Sequence, residues 1–354
     1  MDKKVKSFFN PKEDLSSNSK TIGAVITKKC NCDCEFCVWK YTEGCNVDVE
    51  LDLDLFENIL KEGRLFGYDC VQITGGEPCL HSKFKELINL IISYDMNFTL
   101  VSNGKLWEKY KFLVEDKKIK KHFESIGFSL DGPREIHDKF RGKGCYDKVL
   151  EAVSFFNNKL KDVTIKTALG KHNYKQFLEI IKISYDLGVK TNEFFSMLLS
   201  NKFCLNNQEI LEIYNFVDKN IDLLYSYKEK MDIKINLMEI NSIGFCPAFS
   251  DKKFDVYPNG KVNYCCGMDF PEFQIGDLNE KTNIQTILKN KNVKTKKIVN
   301  GMVDLFSDPH LSQIQVQDSC SFCRHFLNCK KNDGDLLVGR PKALLDSIKK
   351  QNAK

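Results

Sequence analysis

Three cysteines, Cys30, Cys34 and Cys37, stand in the order C-x3-C-x2-C within the run CNCDCEFC. Thiolates are ligands for soft metals, and three of them on one short loop leave a fourth coordination position unfilled. A [4Fe-4S] cube held in this way keeps one iron open to an outside ligand. Structural zinc sites are more often paired C-x2-C units with four ligands, which this spacing does not supply. Cys32 could replace one of the three and Cys45 could complete a site, so the run alone leaves both chemistries open.

Four further motifs follow it. QITGGEP, from Gln72 to Pro78, places Gly75, Gly76 and Glu77 in a turn where backbone can approach a ligand and a carboxylate waits beside it. Ser102-Asn103-Gly104 and Ser129-Leu130-Asp131-Gly132 are also polar glycine turns, and HDKFRG follows from His137 to Gly142. His137 reads as a capping or packing residue rather than an acid–base catalyst. No conventional catalytic triad is spelled out anywhere in the chain. A second set of cysteines lies late: Cys246, the pair Cys265-Cys266, and C-x2-C-x5-C at Cys320, Cys323 and Cys329. Four thiolates can hold either a cubane or a zinc ion. Cys70, Cys79, Cys145 and Cys204 read as small buried hydrophobes.

The elements that must position these groups alternate. Strand-like runs fall at 21–27, 71–74, 98–102, 125–130, 162–168 and 192–198, and helix-like periodicity at 52–66, 82–95, 105–120, 145–159, 174–187 and 207–228. Repeated β/α order implies parallel strands with helices outside. Six units are too few for a closed eight-stranded barrel, so an α/β fold with a partial (β/α)6 barrel is expected. The first four motifs then share the C-terminal ends of successive strands, where such sheets bind ligands. Beyond residue 229 the pattern becomes short strands about Pro258-Asn259-Gly260 and a polar helix at 281–298. The expected division is an N-terminal extension over 1–20, the barrel over 21–228, a small Cys-rich α+β domain over 229–335, and a basic C-terminal helix over 336–354. The third unit has little hydrophobic periodicity, so a metal centre would hold it together.

At 354 residues, with 42% hydrophobic and 29% charged side chains, the chain can bury a large core. The 53 basic and 48 acidic residues leave only +5, with no pure charge run, which argues against a nucleic-acid partner. No signal-peptide h-region and no stretch of about 18 apolar residues occurs, so a cytoplasmic protein with no membrane partner is expected. In a reducing compartment, fifteen cysteines point to metal ligands or catalytic thiols before disulfides.

In order and on the expected strands, the run 30–37, GGEP, SNG, SLDG and HDKFRG resemble the motifs of the radical S-adenosylmethionine (SAM) enzymes. The resemblance implies that Cys30, Cys34 and Cys37 ligate a [4Fe-4S] cluster whose open iron binds SAM, and that reductive cleavage yields a 5′-deoxyadenosyl radical that abstracts hydrogen. It implies Phe36 near the adenine, the Gly75, Gly76 and Glu77 turn on the methionine ammonium, Ser102 and Asn103 among the cofactor contacts, Ser129 on the ribose or carboxylate, and Arg141 on the carboxylate. An electron donor such as flavodoxin or ferredoxin would be a partner.

The late cysteines are similar to SPASM and twitch extensions, which implies one auxiliary [4Fe-4S] cluster on Cys246, Cys265, Cys320 and Cys323. A two-cluster extension has further cysteines, whereas position 333 here is Asp. Cys266 stands where sulfatase-maturing relatives carry an Asp base, and the pattern resembles peptide epimerases in which a thiol returns hydrogen to an α-carbon. The expectation is therefore catalysis on a ribosomal peptide or protein, with Cys266 as hydrogen donor or as a spare ligand. Only about 20 residues precede the first strand, so no separate N-terminal peptide-recognition domain is expected. A small-molecule dehydrogenase using the auxiliary cluster as electron acceptor is the alternative. A non-enzymatic metal-binding scaffold is the third reading, and it leaves the barrel motifs unexplained.

Overall fold

A computed structural model describes residues 19–41, 47–197, 202–236, 251–264 and 271–306, with Lys4 and Phe8. Seven strands run parallel in chain order: β1 (Lys20–Val25), β2 (Tyr68–Thr74), β3 (Asn97–Ser102), β4 (Phe123–Ser129), β5 (Asp162–Leu169), β6 (Thr191–Ser196) and β7 (Asp232–Asn236). β8 (Lys253–Val256) pairs parallel with β1 on its other side, and β9 (Lys261–Asn263) and β10 (Gln274–Asp277) continue antiparallel. The sheet stays open, with β7 and β10 at its two ends. This is the α/β partial barrel expected from the sequence. β7 is a seventh parallel strand that the alternation had not disclosed.

Helices between the strands pack on one face of the sheet. α1 (Leu53–Leu65) starts where the Asp52 carboxylate accepts from the Asp54 and Leu55 N–H groups, and buries Phe56, Ile59, Leu60 and Gly63 at helical spacing. A Cβ on Gly63 would stand 2.7 Å from Ile22 Cδ1, so this glycine sets how closely α1 lies on β1. α2 (Phe84–Ser93) buries Phe84, Leu87, Ile88, Ile91 and Ile92 in the same way. The helix expected at 105–120 is broken into a turn at Trp107–Tyr110, α3 (Phe112–Glu115) and α4 (Lys117–His122). Asp116 is extended there and caps the Lys118 and Ile119 N–H groups, a local bond that competes with helix continuation.

α5 (Arg134–Arg141), α6 (Cys145–Asn157) and α7 (Phe177–Asp186) follow β4 and β5. The helix expected over 207–228 divides at Asn220 into α8 (Asn207–Lys219) and α9 (Ile221–Lys228), and α10 spans Ile284–Phe306. Phe128 meets Phe156 of α6 and Phe194 meets Phe177 of α7, which fixes the helix-facing side of β4 and β6. By the period of two along a strand, Gly127, Ser129, Lys166, Glu193 and Phe195 turn to the other face. That face is largely polar.

Candidate active site

The chain leaving β1 is held on both sides before it reaches Cys30. Ile26 N–H donates to Thr74 O (2.9 Å), Gly76 N–H to Thr27 O (2.7 Å) and Glu77 N–H to Lys29 O (2.7 Å); from the other side Lys28 N–H donates to Val49 O and Leu51 N–H to Ile26 O. Gly75 and Gly76 are needed for this closeness. A Cβ at 75 would meet Thr27 O at 2.5 Å, and one at 76 would meet the Lys29 carbonyl carbon at 2.6 Å. The close backbone approach read from the sequence is therefore an approach to the protein's own cysteine loop. Trp39 Nε1–H adds a bond to Gly75 O (3.3 Å).

Within the loop, Cys37 N–H donates to Cys34 O (3.1 Å) and Lys40 N–H to Cys37 O (3.0 Å), which leads into the turn Val38–Tyr41. Cys30 and Cys37 are half-buried, while Cys32 and Cys34 are buried. The Cys34 thiol is lowered to about 6, first by a hydrogen bond from Cys32 and also by the nearby Arg141 charge. Cys30 is lowered through its hydrogen bond with Cys32, whereas Cys32 is raised by its bonds to Cys145, Cys30 and Cys34. Thiolates thus form more readily at positions 30 and 34 than at 32. Among the described residues, no three Cys, His, Asp or Glu converge on a single metal ion.

A cubane fits the donor set in other ways. Asn103 Nδ2 stands 3.7 Å from Cys30 Sγ while donating to Asn31 Oδ1 (2.8 Å), so an amide N–H lies against the Cys30 sulfur. Asn31 Nδ2 is buried beside Cys30 without a partner among the described residues, a donor left for a group at this loop.

Glu77 departs from its expected role. Its side chain is 0% exposed and already accepts from Ser102 Oγ–H (2.7 Å), Asn103 N–H (2.9 Å) and the Tyr110 hydroxyl. Burial raises its pKa against the pull of these donors. The carboxylate of the turn expected on the methionine ammonium of SAM here ties the GGE turn to the end of β3. Ser102 is likewise occupied, donating to Glu77 and accepting from Gly104 N–H (3.0 Å).

Arg141 meets a carboxylate within the protein: its Nε donates to Asp131 Oδ2 (2.6 Å), and Asp131 is fully buried. Asp131 Oδ1 accepts from Ala168 N–H (3.0 Å), and its own N–H donates to His137 Nδ1 (3.2 Å). His137 is thus a packing residue, its pKa lowered to about 4 chiefly by burial. The Arg141 guanidinium lies over the Phe36 ring (5.1 Å), which stacks on His172 (4.8 Å) within a box closed by Phe140 and Phe203. Both ring nitrogens of His172 are buried without partners among the described residues. Ser129 is half-buried at the end of β4, in register with Lys166 of β5.

Sequence reasoning did not single out Asp131, His172, Tyr110 or Asn31. Asp131 stands in the SLDG motif, but nothing local names Arg141 as its partner; His172 and Tyr110 carry no local signal. Cys70, Cys79, Cys145 and Cys204 are all buried, as expected. Cys45, Cys246, Cys265, Cys266, Cys320, Cys323 and Cys329 lie outside the described residues. The hairpin before Cys265 is described: β9 runs antiparallel to β1 and so heads away from the sheet end that carries Cys30. Among the described residues, no helix is long and apolar enough to cross a membrane.

Residues 24–183 match the family model of the Radical SAM superfamily. Among curated proteins, the chain is 27% identical over 162 residues to an Fe-coproporphyrin III synthase of Methanosarcina barkeri, covering 45% of this chain and 39% of that protein. It is 28% identical over 189 residues to a probable GTP 3′,8-cyclase of Saccharolobus solfataricus, covering 51% and 56%. It is 25% identical over 317 residues to a cysteine-type anaerobic sulfatase-maturating enzyme of Clostridium novyi, covering 78% and 80%. The chain thus spans about half or less of the first two relatives.

In fold it is similar to Streptococcus suis SuiB bound to S-adenosylmethionine (14% identity, 76% of this chain and 63% of that one, TM-score 0.58). It is also similar to anSMEcpe with bound AdoMet (19% identity, 90% and 92%, TM-score 0.62). SuiB has also been solved with a precursor peptide, SuiA, and anSMEcpe with a Kp18Cys peptide. The matched model lies on the strands that gather the cysteine loop, the GGE turn, Asn103 and Arg141 at one sheet end, so residues 24–183 form a radical SAM domain.

Proposed function

We propose that this enzyme modifies a peptide or protein by hydrogen abstraction, and that its C-terminal third carries one auxiliary [4Fe-4S] cluster. The observation that carries the reading is the double clamp on residues 26–29, which fixes Cys30 against Gly75–Glu77 and Asn103. When bound, the cluster on Cys30, Cys34 and Cys37 and its SAM supply a 5′-deoxyadenosyl radical that takes a hydrogen atom from substrate. The protein's own groups hold and orient: Asn103 donates toward a ligand sulfur, Phe36 and His172 offer ring faces and unpartnered nitrogens for the adenine, and Ser129 and Arg141 supply polar contacts to the cofactor. The peptide class is supported by the sulfatase-maturating relative and by the peptide complexes of SuiB and anSMEcpe.

Within that class the preferred reaction is epimerisation at an α-carbon. Cys266 S–H returns hydrogen to the opposite face of the carbon radical, and the resulting thiyl is restored by one electron from a flavodoxin- or ferredoxin-type donor and one proton from solvent. The auxiliary cluster would rest on Cys246, Cys265, Cys320 and Cys323. A second reading, removal of two hydrogens from a protein side chain, is favoured by the sulfatase-maturating relative, which this chain covers to 80%.

Anaerobic reconstitution tests the cluster assignment: about eight irons per chain are expected for two cubanes, and about four in Cys30→Ala. About four in the parent chain removes the auxiliary cluster, and zinc alone removes the radical reading. Turnover in deuterated water separates the reactions. Epimerisation places one deuterium at a substrate Cα and is lost in Cys266→Ala while SAM cleavage continues; dehydrogenation gives a product lighter by two hydrogens.

A further inference from the structure

The sheet face turned away from the helices carries a row of charges that neither the cluster nor the SAM assignment uses. Register places Ser129 opposite Lys166, Lys166 opposite Glu193, and Glu193 opposite Lys234, across β4 to β7. One step nearer the sheet end that bears Cys30, Ala168, Phe195 and Asn236 form the next row on the same face. The charged row therefore begins at a residue assigned to the cofactor and ends on the outermost parallel strand.

This row is built rather than incidental. Lys166 Nζ is ion-paired with Glu193, and the two side chains are only 20% and 26% exposed. The Lys166 stem lies flat over β4, because a Cβ on Gly127 would come within 2.8 Å of Lys166 Cε. A glycine inside a strand forfeits packing and marks a close approach, and here the approaching group is that lysine. Burial pushes the Glu193 carboxyl up, but Lys166, Lys234 and Lys253 together hold it below its ordinary value. Lys253, on β8, donates to Gln72 Oε1 (2.6 Å) and stands 3.8 Å from Asp255. Lys166 is thus engaged by Glu193, and Lys253 by Gln72 and Asp255. Lys234 is exposed and makes no ion pair among the described residues, so its charge is open to a partner there. Asp232 lies one step farther from the cysteine end on the same face and confines the positive potential to the upper part of β7.

Phe195 supplies the second half of the surface. Its neighbour Phe194 is fully buried against α7, while Phe195 is 39% exposed on the polar face. Its ring offers an apolar spot on the polar face against which an apolar side chain can pack. Diagonal neighbours across a strand pair lie about 7–8 Å apart, so one extended segment can reach both Phe195 and Lys234. In such a segment, the side chains at i and i+2 share a face.

We propose that the helix-free face of β5 to β7 is a substrate-contact surface on which Lys234 pairs with a carboxylate side chain of a peptide while Phe195 packs an adjoining apolar side chain. This rests on the peptide reading above. The Lys166–Glu193 pair, neutral overall, fixes the floor beneath the peptide and offers no second free cation, so one acidic residue flanked by apolar ones is the preferred pattern.

The test uses the full chain, reconstituted anaerobically and supplied with SAM. The probes are fluorescein-labelled nonapeptides of one Leu/Ala frame carrying Glu, Gln or Lys at the centre, and binding is read by anisotropy at low salt. The Glu peptide is expected to bind about fivefold more tightly than the Gln peptide and more than tenfold more tightly than the Lys peptide. Lys234→Glu should invert the order, Lys234→Gln should flatten it, and Phe195→Ala should weaken all three peptides alike. Iron content and thermal melting establish that each variant is folded, and the Gln variant decides the matter if the Glu variant is not. Equal binding of the three peptides to the parent, or an unchanged order in the folded Lys234 variants, overturns the proposal alone. If SAM is cleaved but no peptide binds, the peptide reading fails and this surface with it; if SAM is not cleaved, the radical reading itself fails.

Discussion

Gly76→Ala should unseat the cysteine loop. The added methyl would lie 2.6 Å from the Lys29 carbonyl carbon and 2.8 Å from Lys28 O, and still closer to Lys29 O, where about 3.5 Å is needed between non-bonded carbons. These neighbours are backbone, already fixed from the far side by residues 49–51, so no side chain can swing aside. Separating the two segments by about 1 Å carries the Gly76–Thr27 and Glu77–Lys29 bonds, both 2.7 Å, beyond hydrogen-bonding distance. Two buried pairs at about 1 kcal/mol each, with donors left unsatisfied, cost about 2–3 kcal/mol. In a domain of this size that is a fall in melting temperature of roughly 5–10 °C.

Cys30 follows Lys29 directly, so the same shift should reduce iron bound at the first cluster while leaving any auxiliary cluster in place. Anaerobic melting and iron and sulfide analysis of the variant read both effects. A variant within about 1 °C of the parent and with full iron would refute the claim that these glycines serve the contact between turn and loop.

Asn103→Ala removes the amide N–H beside Cys30 Sγ. A hydrogen bond about 1 kcal/mol stronger to the more negative, reduced cluster than to the oxidised one corresponds to about 40 mV for one electron, so the first cluster should become harder to reduce by that order. A redox titration followed by electron paramagnetic resonance checks it, and a midpoint unmoved within about 10 mV counts against the bond. His137, lowered to about 4 by burial, stays neutral in the folded chain while the unfolded chain takes up a proton below 6.5. Its contribution is therefore complete above pH 6.5 and lost as pH falls from 6.5 towards 4, about 3 kcal/mol in all. His137→Asn, which keeps an acceptor for the Asp131 N–H, should flatten that part of a pH–stability curve measured by denaturant titration.

Much of the barrel was legible because its strands and helices obey two different periods. Strands β1 to β6 fall where β-branched and aromatic runs predicted them, and α1, α2 and α6 bury the residues that recur at helical spacing. The breaks at Asp116 and Asn220 were hidden because each is a competition between one side chain and the helix ladder that periodicity does not register: Asp116 caps the Lys118 and Ile119 N–H groups, and Asn220 Nδ2–H donates back to Phe216 O. β7 was missed for a different reason. Asp232, Lys234 and Asn236 make it look like a surface segment, although Ile233 and Ile235 are buried and Asp232 and Lys234 lie on the helix-free face.

By itself the sequence determined which residue types lie together along the chain: four thiols in one loop, glycines and a carboxylate in one turn, an arginine near the end of HDKFRG. Local spacing suffices for that, since ligand sets and turns are short-range features. Only the tertiary structure decided whom each side chain meets. Glu77 is enclosed by Ser102, Asn103 and Tyr110, Arg141 by Asp131, and Gly76 faces the backbone of its own cysteine loop. The physical reason is that a buried charge or donor must be satisfied within the fold, and its partner is set by sheet register between segments some 10 to 33 residues apart, as with Arg141 and Asp131 or Tyr110 and Glu77.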